Sequence, residues 1–479
     1  MRFLFAVSQR RREHTVSIAR FWFCLSEQKE RINMFGFRFI GNTRIPHHKN
    51  TAGESALILS DVKEVLLPLS QHIGAPATPF VKVGDEVKVV QKIADASGYV
   101  SSPIHASVSG KVAKIEDYLR PDGRVVPAIR ITSDGLMTKC DGIVAPTVNS
   151  LDDLVSASRD SGLVGLGGAG FPVSVKLDAL KKGNIDTIII NGAECEPYIT
   201  CDTYCMLYEH EWVVKGIKLF EKYAASVKNY IIGIEKNKSE CITKLKEAFS
   251  GDEKVFVRTL PDTYPQGGEK VLIYNTTRRM IPEGKLPADV NVIVMNVTSL
   301  AILAKYVETG MPLTSRCVTV DGSAISTPKN VIAPVGTPIR DLVEFCGGLK
   351  SEAGKVLFGG PMMGTPASSL DEPTSKTTGG ITVLDRKDSI LGEPSACIHC
   401  GRCVNACPLN LSPVTFTKAL SAETKEEKIA ILENSKVMLC MECGCCSYVC
   451  PANRPLVQNN RIGKATIREH QAHLASTKK

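Results

Sequence analysis

Eight cysteines near the C-terminal end repeat one spacing twice: Cys397-x2-Cys400-x2-Cys403-x3-Cys407 and Cys440-x2-Cys443-x2-Cys446-x3-Cys450, each run followed at once by a proline, Pro408 and Pro451. A cube of iron and sulfide needs four thiolates arriving from different directions. In a run of this kind, three come from one tight loop and the fourth ligates the other cluster of a pair. By that rule Cys397, Cys400, Cys403 and Cys450 hold one [4Fe–4S] cluster, and Cys440, Cys443, Cys446 and Cys407 hold the other. The chemistry is one-electron transfer. A structural zinc module is the competing reading, but zinc sites pair cysteines across a longer spacer and often add histidine. In a zinc module four cysteines come as two separated pairs, whereas here all four fall within one short run closed by Cys-Pro. His399 reads as solvent-facing or as an outer residue. Cys445 beside Cys446 leaves an ambiguity of register, although only Cys446 keeps the spacing intact.

A second constellation lies far upstream, at Gly162-Leu-Val-Gly165-Leu-Gly167-Gly168-Ala-Gly170-Phe171-Pro172. Glycines let backbone N–H groups approach an anion with no β-carbon in the way, which is how phosphates are cradled. The run lacks the Gly-Lys-Ser/Thr of a Walker loop and departs from the dinucleotide fingerprint, and a plain turn is its bland alternative. Some twenty residues on, Asn191-Gly-Ala-Glu194-Cys-Glu196-Pro closes a short apolar run, where an open α/β sheet binds ligands at its strand ends. An acidic surface turn is the alternative there. Lys176 follows the loop as a further charge, unless it is simply exposed.

The elements that must position these groups fall into successive patterns. A chain of 479 residues should divide into about three or four domains. Residues 1–33 form a basic leader with Arg2, Arg10, Arg11, Arg12 and Arg20, expected to be disordered, with Met34 an alternative start. Residues 34–140 show short β-rich runs punctuated by glycine, an all-β module. Residues 141–312 alternate strand and helix as a three-layer α/β domain, with strands expected at Ile185 to Asn191, Tyr230 to Ile234 and Val290 to Met295. Residues 313–380 read as a small β-grasp module ending in a Ser/Thr/Gly linker. Residues 381–465 form an α-helical cluster domain and 466–479 a tail. The fold class is therefore multidomain, α+β and α/β.

Composition narrows the setting. The other nine of the 17 cysteines are scattered without a disulfide framework, which argues for a reducing compartment. A net charge of +8 is mild and spread, giving no focused nucleic-acid footprint. No stretch reaches the roughly 18 uninterrupted apolar residues of a membrane span.

Three resemblances add to this reading. The order Val83-Gly-Asp-Glu-Val87, Gln91-Lys-Ile and Pro103-Ile-His-Ala-Ser-Val-Ser-Gly-Lys-Val112 resembles the biotinyl/lipoyl barrel-sandwich fold. The hairpin that carries a cofactor lysine in those carriers is here Ala96 to Ser102 without lysine, so a docking module is expected rather than a swinging arm. Gly-x-Gly-Gly-Ala-Gly-Phe-Pro, then Lys, then Asn-x-x-Glu-x-Glu-Pro resembles the FMN- and NADH-binding fold of the complex I flavin subunit. The whole order, over about Phe37 to Arg468, resembles the RnfC family of the Rnf (Rsx) electron-transport complex, with a β-grasp module of SLBB type and a double [4Fe–4S] ferredoxin domain. Supporting stretches are Pro68 to Pro76, Ile190 to Tyr198, Tyr264 to Lys270 and Gly359 to Gly364.

The resemblance implies that Gly165, Gly167, Gly168 and Gly170 line non-covalent FMN, that Lys176 and Asn191 hydrogen-bond it, and that Phe171 stacks on nicotinamide. It implies that Glu194, Glu196 and Glu269 orient the dinucleotide or the ribityl chain, and that Asn296 makes a further flavin contact. Leu166 stands where the complex I pattern has arginine and Ala193 where it has aspartate. The implied activity is electron exchange between NAD(H), FMN and two clusters. The implied setting is the cytoplasmic side of a membrane, docked on integral and iron–sulfur partner subunits that move Na+ or H+, with ferredoxin an indirect partner. A soluble reductase feeding a proline or cobalamin enzyme, and a non-enzymatic electron wire, are the rival readings.

Overall fold

The computed structural model describes residues 41–477, so the expected basic leader and the question of Met34 lie outside the described residues. Two compact units result. One comprises residues 43–397 with 441–457, and the other contains residues 398–440 with 458–477.

In the larger unit the barrel-sandwich module pairs Glu64–Pro68, Val125–Ser133, Gly110–Leu119 and Glu86–Val87 in one sheet, in that order, and Thr78–Pro79, Lys92–Asp95 and Ile104–His105 in a second. Val65, Leu67, Ile93, Ile104, Val112, Ile129 and Ile131 fill its core and are buried. The hairpin expected to carry no cofactor is instead held fast. Arg159 Nη2 donates to Gly98 O at 2.6 Å and Tyr99 Oη donates to Asp178 Oδ2 at 2.6 Å, so its tip is fixed on two helices of the α/β domain.

The α/β domain is built on four parallel strands in the order Val255–Leu260, Asn229–Glu235, Thr187–Gly192, Val292–Asn296. Thr187–Gly192 and Asn229–Glu235 are almost wholly apolar and buried, as strands covered on both faces must be. The edge strand Val255–Leu260 buries only its two end residues and exposes Phe256, Arg258 and Thr259, a pattern from which no strand was expected. Helices His210–Tyr223 and Val297–Thr309 pack tightly on one face. A β-carbon at Gly216 would fall 2.5 Å from Leu300 Cγ.

Two expected limits shift. The Ser/Thr/Gly run read as a linker is buried, with Thr374 and Lys376 each 2% exposed, because its small polar residues hydrogen-bond inward. The following strand Gly380–Asp385 lies inside the β-grasp sheet, between Ser315–Asp321 and Ala353–Phe358. At the other end, residues 43–58 are not part of the barrel. Thr43 bridges to Tyr264 in the α/β domain, and Ala56–Ile58 adds a parallel edge strand to the β-grasp sheet beside Lys329–Pro334.

The smaller unit is helical. Pro413–Leu420, Lys425–Asn434 and the long helix Leu456–Thr477 from Gln458 onward enclose Phe416, Leu432, Val437 and Ile467, with Cys407 and Cys440 packed at the edge of that core. Thr424 caps the second helix by accepting from Glu427 N at 3.1 Å.

The Gly216 contact gives the first prediction. Gly216→Val should cost about 1–3 kcal/mol through overpacking against Leu300, read as a lowered urea midpoint with an unchanged slope.

Candidate functional site

The sheet order reverses between Thr187–Gly192 and Val292–Asn296, and such a switch point opens a crevice at the carboxyl ends of the strands. Asn191 and Asn296 are register partners at that edge. The glycine-rich loop arches over it. Gly165 N donates to Phe171 O at 2.8 Å and Val164 bridges to Pro172, closing the loop on itself. A β-carbon at Gly167 would sit 2.9 Å from Asn296 Nδ2 and one at Gly170 2.8 Å from Thr377 Cγ2, whereas Gly168 faces open space. The loop thus presents main chain to a ligand on one side and close-packed neighbours on the other. That is a cradle fitted to a phosphate and a flat ring.

The expected residues divide by what their side chains already do. Lys176, on helix Val173–Asp178, donates to Val294 O at 3.0 Å and lies 3.8 Å from Glu269 Oε2, so Lys176 and Glu269 meet. Asn191 is committed to the backbone, donating to Gly267 O at 3.0 Å and accepting from Ala193 N at 3.1 Å. Asn296 accepts from Ser299 N at 3.0 Å, capping its helix, and donates to Asp202 Oδ2 at 2.7 Å. Glu194 is already engaged by the protein. Its carboxylate accepts from Asp202 N at 2.6 Å and from Thr203 N and Oγ1 at 3.1 and 2.5 Å, at the positive end of helix Cys201–Tyr208, instead of standing free in the crevice.

Glu196 also serves the chain. Met362 N and Met363 N donate to its two carboxylate oxygens at 3.2 and 2.9 Å, and Tyr264 Oη donates at 3.3 Å. Burial pushes its carboxyl above the usual range, partly offset by those donors. The glycine turn Gly359 to Gly364 is therefore a seat for this carboxylate.

Sequence reasoning missed the groups that pin this loop. Lys49 Nζ donates to the carbonyls of Glu194, Glu196 and Ile199 at 2.8, 2.7 and 2.5 Å, and Lys238 Nζ donates to Ala193 O and Glu235 Oε2, each at 2.7 Å. Burial and the neighbouring Lys238 pull Lys49 below its ordinary value. Asp202 was also missed. It is buried, it accepts from Thr298 Oγ1 at 2.6 Å as well as from Asn296, and burial with Glu194 nearby raises its pKa. Its one sequence signal is its place in the first turn of a helix.

The two cysteine runs share a backbone. Two residues after the first cysteine of each run φ is positive, at His399 (54°) and Glu442 (60°), and again two residues later at Gly401 (73°) and Gly444 (80°). Three residues past the fourth cysteine the pattern recurs at Asn410 (54°) and Asn453 (49°), and short helices Arg402–Asn405 and Cys445–Tyr448 match. Alternating right- and left-handed residues turn successive N–H groups into one concavity, a nest for an anionic group. This superposition places Cys446 opposite Cys403 and Cys445 opposite Arg402. Cys445 is buried, with its Sγ 3.8 Å from Tyr264 O. Ser395 N donates to Ala452 O at 3.0 Å, tying the residues before Cys397 to those after Cys450. Cys440 Sγ accepts from Asn460 Nδ2 at 3.4 Å, and Cys407 Sγ from Leu411 N at 3.3 Å. Backbone nests of this kind suit an anionic cluster, while among the described residues no three cysteine, histidine or acidic side chains gather as a metal-holding group.

The second run also packs on the flavin side of its unit. Met441 lies against Gly268, and Gly444 sits close under Met362, where a β-carbon would approach Met362 O at 2.8 Å.

A nucleotide crevice at a switch point, followed by paired cysteine nests, defines a flavin and iron–sulfur electron-transfer protein. Family matches agree segment by segment: the RnfC barrel-sandwich hybrid domain over residues 37–136, the Nuo51 FMN-binding domain over 158–305, the SLBB domain over 317–366 and the 4Fe-4S dicluster domain over 393–454. The C subunit of the proton-translocating ferredoxin:NAD(+) oxidoreductase complex of Clostridium ljungdahlii is 44% identical over 79% of this chain and 84% of its own. The C subunit of the Na(+)-translocating ferredoxin:NAD(+) oxidoreductase complex of Acetobacterium woodii is 42% identical over 79% and 86%, and that of the ion-translocating oxidoreductase complex of Rhodobacter capsulatus is 37% identical over 91% and 84%. The chain belongs to the RnfC family.

Asp202 yields a pH prediction. Its folded pKa is raised, so upward from about pH 4, the unfolded value, the folded protein holds a proton that the unfolded chain has released, and stability falls as pH rises through that window. Asp202→Asn should remove this slope. It should also cost about 1–3 kcal/mol near neutrality by setting its amide against the Asn296 amide, as read by urea unfolding at several pH values.

Proposed function

We propose that this chain is the peripheral RnfC component of an Rnf-type ion-translocating complex on the cytoplasmic face of a membrane, exchanging electrons between NAD(H) and ferredoxin-linked partner subunits. One observation carries the reading. Within the larger unit, residues 441–445 of the second cysteine run rest on Tyr264, Gly268 and Met362, and Tyr264, Met362 and the neighbouring Gly267 hold Glu196 and Asn191 at the glycine-rich crevice.

When bound, FMN supplies two-electron exchange with a nicotinamide and one-electron exchange with iron–sulfur clusters. Around it, Gly165, Gly167, Gly168 and Gly170 would line the phosphate and ring, with main-chain donors coming from beyond Gly165, whose N–H already closes the loop on Phe171 O, while Lys176 and Glu269 stand at the mouth as a charged pair for the ribityl or ribose hydroxyls. Phe171 offers a ring for the nicotinamide. Asn191 and Asn296 hold the floor, and Glu194 and Glu196 act on the ligand through the loop they fix. Cys397, Cys400, Cys403 and Cys450 would hold one cluster, and Cys407, Cys440, Cys443 and Cys446 the other. The second of these is the one whose loop touches the flavin domain, so electrons would pass through it first. Among the described residues no helix is long and apolar enough to cross a membrane, and the ion path is assigned to partner subunits. The limits proposed for the modules remain those read from the sequence, amended at residues 43–58 and 374–385.

Anaerobically purified protein should contain about eight iron, about eight sulfide and one FMN per chain, and reduce a dye with NADH. Cys446→Ala should remove about half of the iron, while Cys445→Ala should leave it in place. Zinc in place of iron, or equal loss in both variants, would refute the assignment.

A further inference from the structure

A loop made largely of glycine cannot anchor itself through side chains, and the Gly162–Gly170 segment is gripped from outside the region that matches the flavin-binding family. Lys376 is buried within the Thr374 to Gly380 run. Its Nζ donates to Gly162 O at 2.7 Å and Pro103 O at 2.6 Å, with Ser102 Oγ at 3.4 Å. Its own main chain is held in turn, its N–H donating to Gln71 Oε1 at 2.9 Å and its carbonyl accepting from Arg316 Nη1 at 2.6 Å. Arg316, buried in the β-grasp sheet, places Nη2 2.9 Å from Leu166 O. Ile73 N donates to Gly170 O at 3.2 Å. The loop is thus fastened at its start, middle and end. Gln71 and Ile73 come from the barrel-sandwich module, and Arg316 and Lys376 follow the residues 158–305 of the flavin match.

We propose that Lys376 and Arg316, steadied by Gln71, are positioning residues for the flavin: they fix the main chain of the glycine-rich loop so that its N–H groups converge on the phosphate. This rests on the flavin reading of that loop. Three oxygen acceptors, none of them an acid, match the three protons of an ammonium, so the charged form makes the full set of bonds. The alternative role, plain structural support, predicts no link between the lysine's proton and flavin.

The surroundings make that link measurable. Burial lowers Lys376 to about 7. The groups facing it from the barrel are His72 and His105, which burial, with the Lys376 charge adding to it, lowers to about 4 and about 3, leaving both neutral. Arg120 lies behind His72 and Lys92 behind His105, and Arg316 sits on the Lys376 carbonyl. Near neutral pH, then, the ammonium is the group in this knot that changes charge.

The test is FMN titration of flavin-depleted, cluster-loaded protein under anaerobic conditions, followed by quenching of flavin fluorescence. Lys376→Met and Arg316→Met should each bind FMN at least about tenfold more weakly than wild type, with iron content and cluster EPR spectrum unchanged. The wild-type advantage over Lys376→Met should shrink as the pH is raised from about 6 to about 8.5, because the wild-type lysine sheds its proton across that range while the FMN phosphate, common to both proteins, cancels. If Lys376→Met does not fold, Gln71→Leu decides: it removes only the acceptor of the Lys376 N–H and should still weaken FMN by about threefold or more. Folded variants that bind FMN as wild type does at every pH overturn the clamp alone. A wild-type protein that takes up no FMN overturns the flavin reading beneath it, and the clamp with it.

Discussion

Main-chain carbonyls held by buried cations are what the crevice depends on. Two segments form its walls, the glycine-rich loop and the turn from Ala193 to Thr200, and neither belongs to a helix or strand that would satisfy its carbonyls by a ladder. Lys376 and Arg316 bind the carbonyls of the first, and Lys49 and Lys238 those of the second. A buried backbone carbonyl without a donor is costly, and a buried ammonium without acceptors is costlier. Each problem resolves the other. The outcome is irregular backbone that is nonetheless fixed in place, which a ligand cradle requires if it is to bind without first ordering itself.

This arrangement also explains why modules unrelated in fold stay together. Lys49 lies in the segment ahead of the barrel, Ile73 in the barrel itself, and Arg316 and Lys376 in the β-grasp region, yet each ends on a wall of the α/β domain. Glu196 reverses the direction, reaching from the α/β domain into the turn at Met362 and Met363. Cutting the chain at the borders of its domain families would therefore strip the crevice of its support even if the sheet Thr187–Gly192, Asn229–Glu235, Val255–Leu260 and Val292–Asn296 survived.

What was legible in the sequence follows the range of the interactions. The strands at Thr187–Gly192 and Asn229–Glu235 announce themselves because all but one residue in each is buried, which leaves short isoleucine-rich runs in the sequence. The cysteine runs do so because ligand geometry is local. Val255–Leu260 was not visible, being an edge strand with an exposed face that leaves no continuous apolar run. Lys49 and Lys376 were invisible for a different reason: nothing in a lysine's neighbours tells whether its ammonium meets water or a carbonyl more than a hundred residues away. Thr374 to Gly380 shows the same limit, since small polar residues suit a solvated linker and a hydrogen-bonded core passage equally. The bonds of Glu194 to Asp202 and Thr203 were not legible, because nothing in the sequence marks Cys201 as the start of the helix whose N-terminus receives this carboxylate.

The paired cysteine runs separate what the cluster demands from what the surroundings demand. Positive φ at His399 and Glu442, at Gly401 and Gly444, and at Asn410 and Asn453 is common to both, although two of these three pairs combine or repeat side chains that are not glycine. Histidine and glutamate gain nothing from a left-handed backbone on their own account. Their shared conformation therefore follows what the two runs have in common, the spacing of their cysteines, and not the side chains at those positions. The residue at the next helical position shows the opposite behaviour, exposed Arg402 in one run and buried Cys445 in the other. A backbone pattern common to both runs, with side chains set by whatever each loop rests against, is the reason Cys445 can sit among the cysteines of the run in sequence and yet face Tyr264 in space.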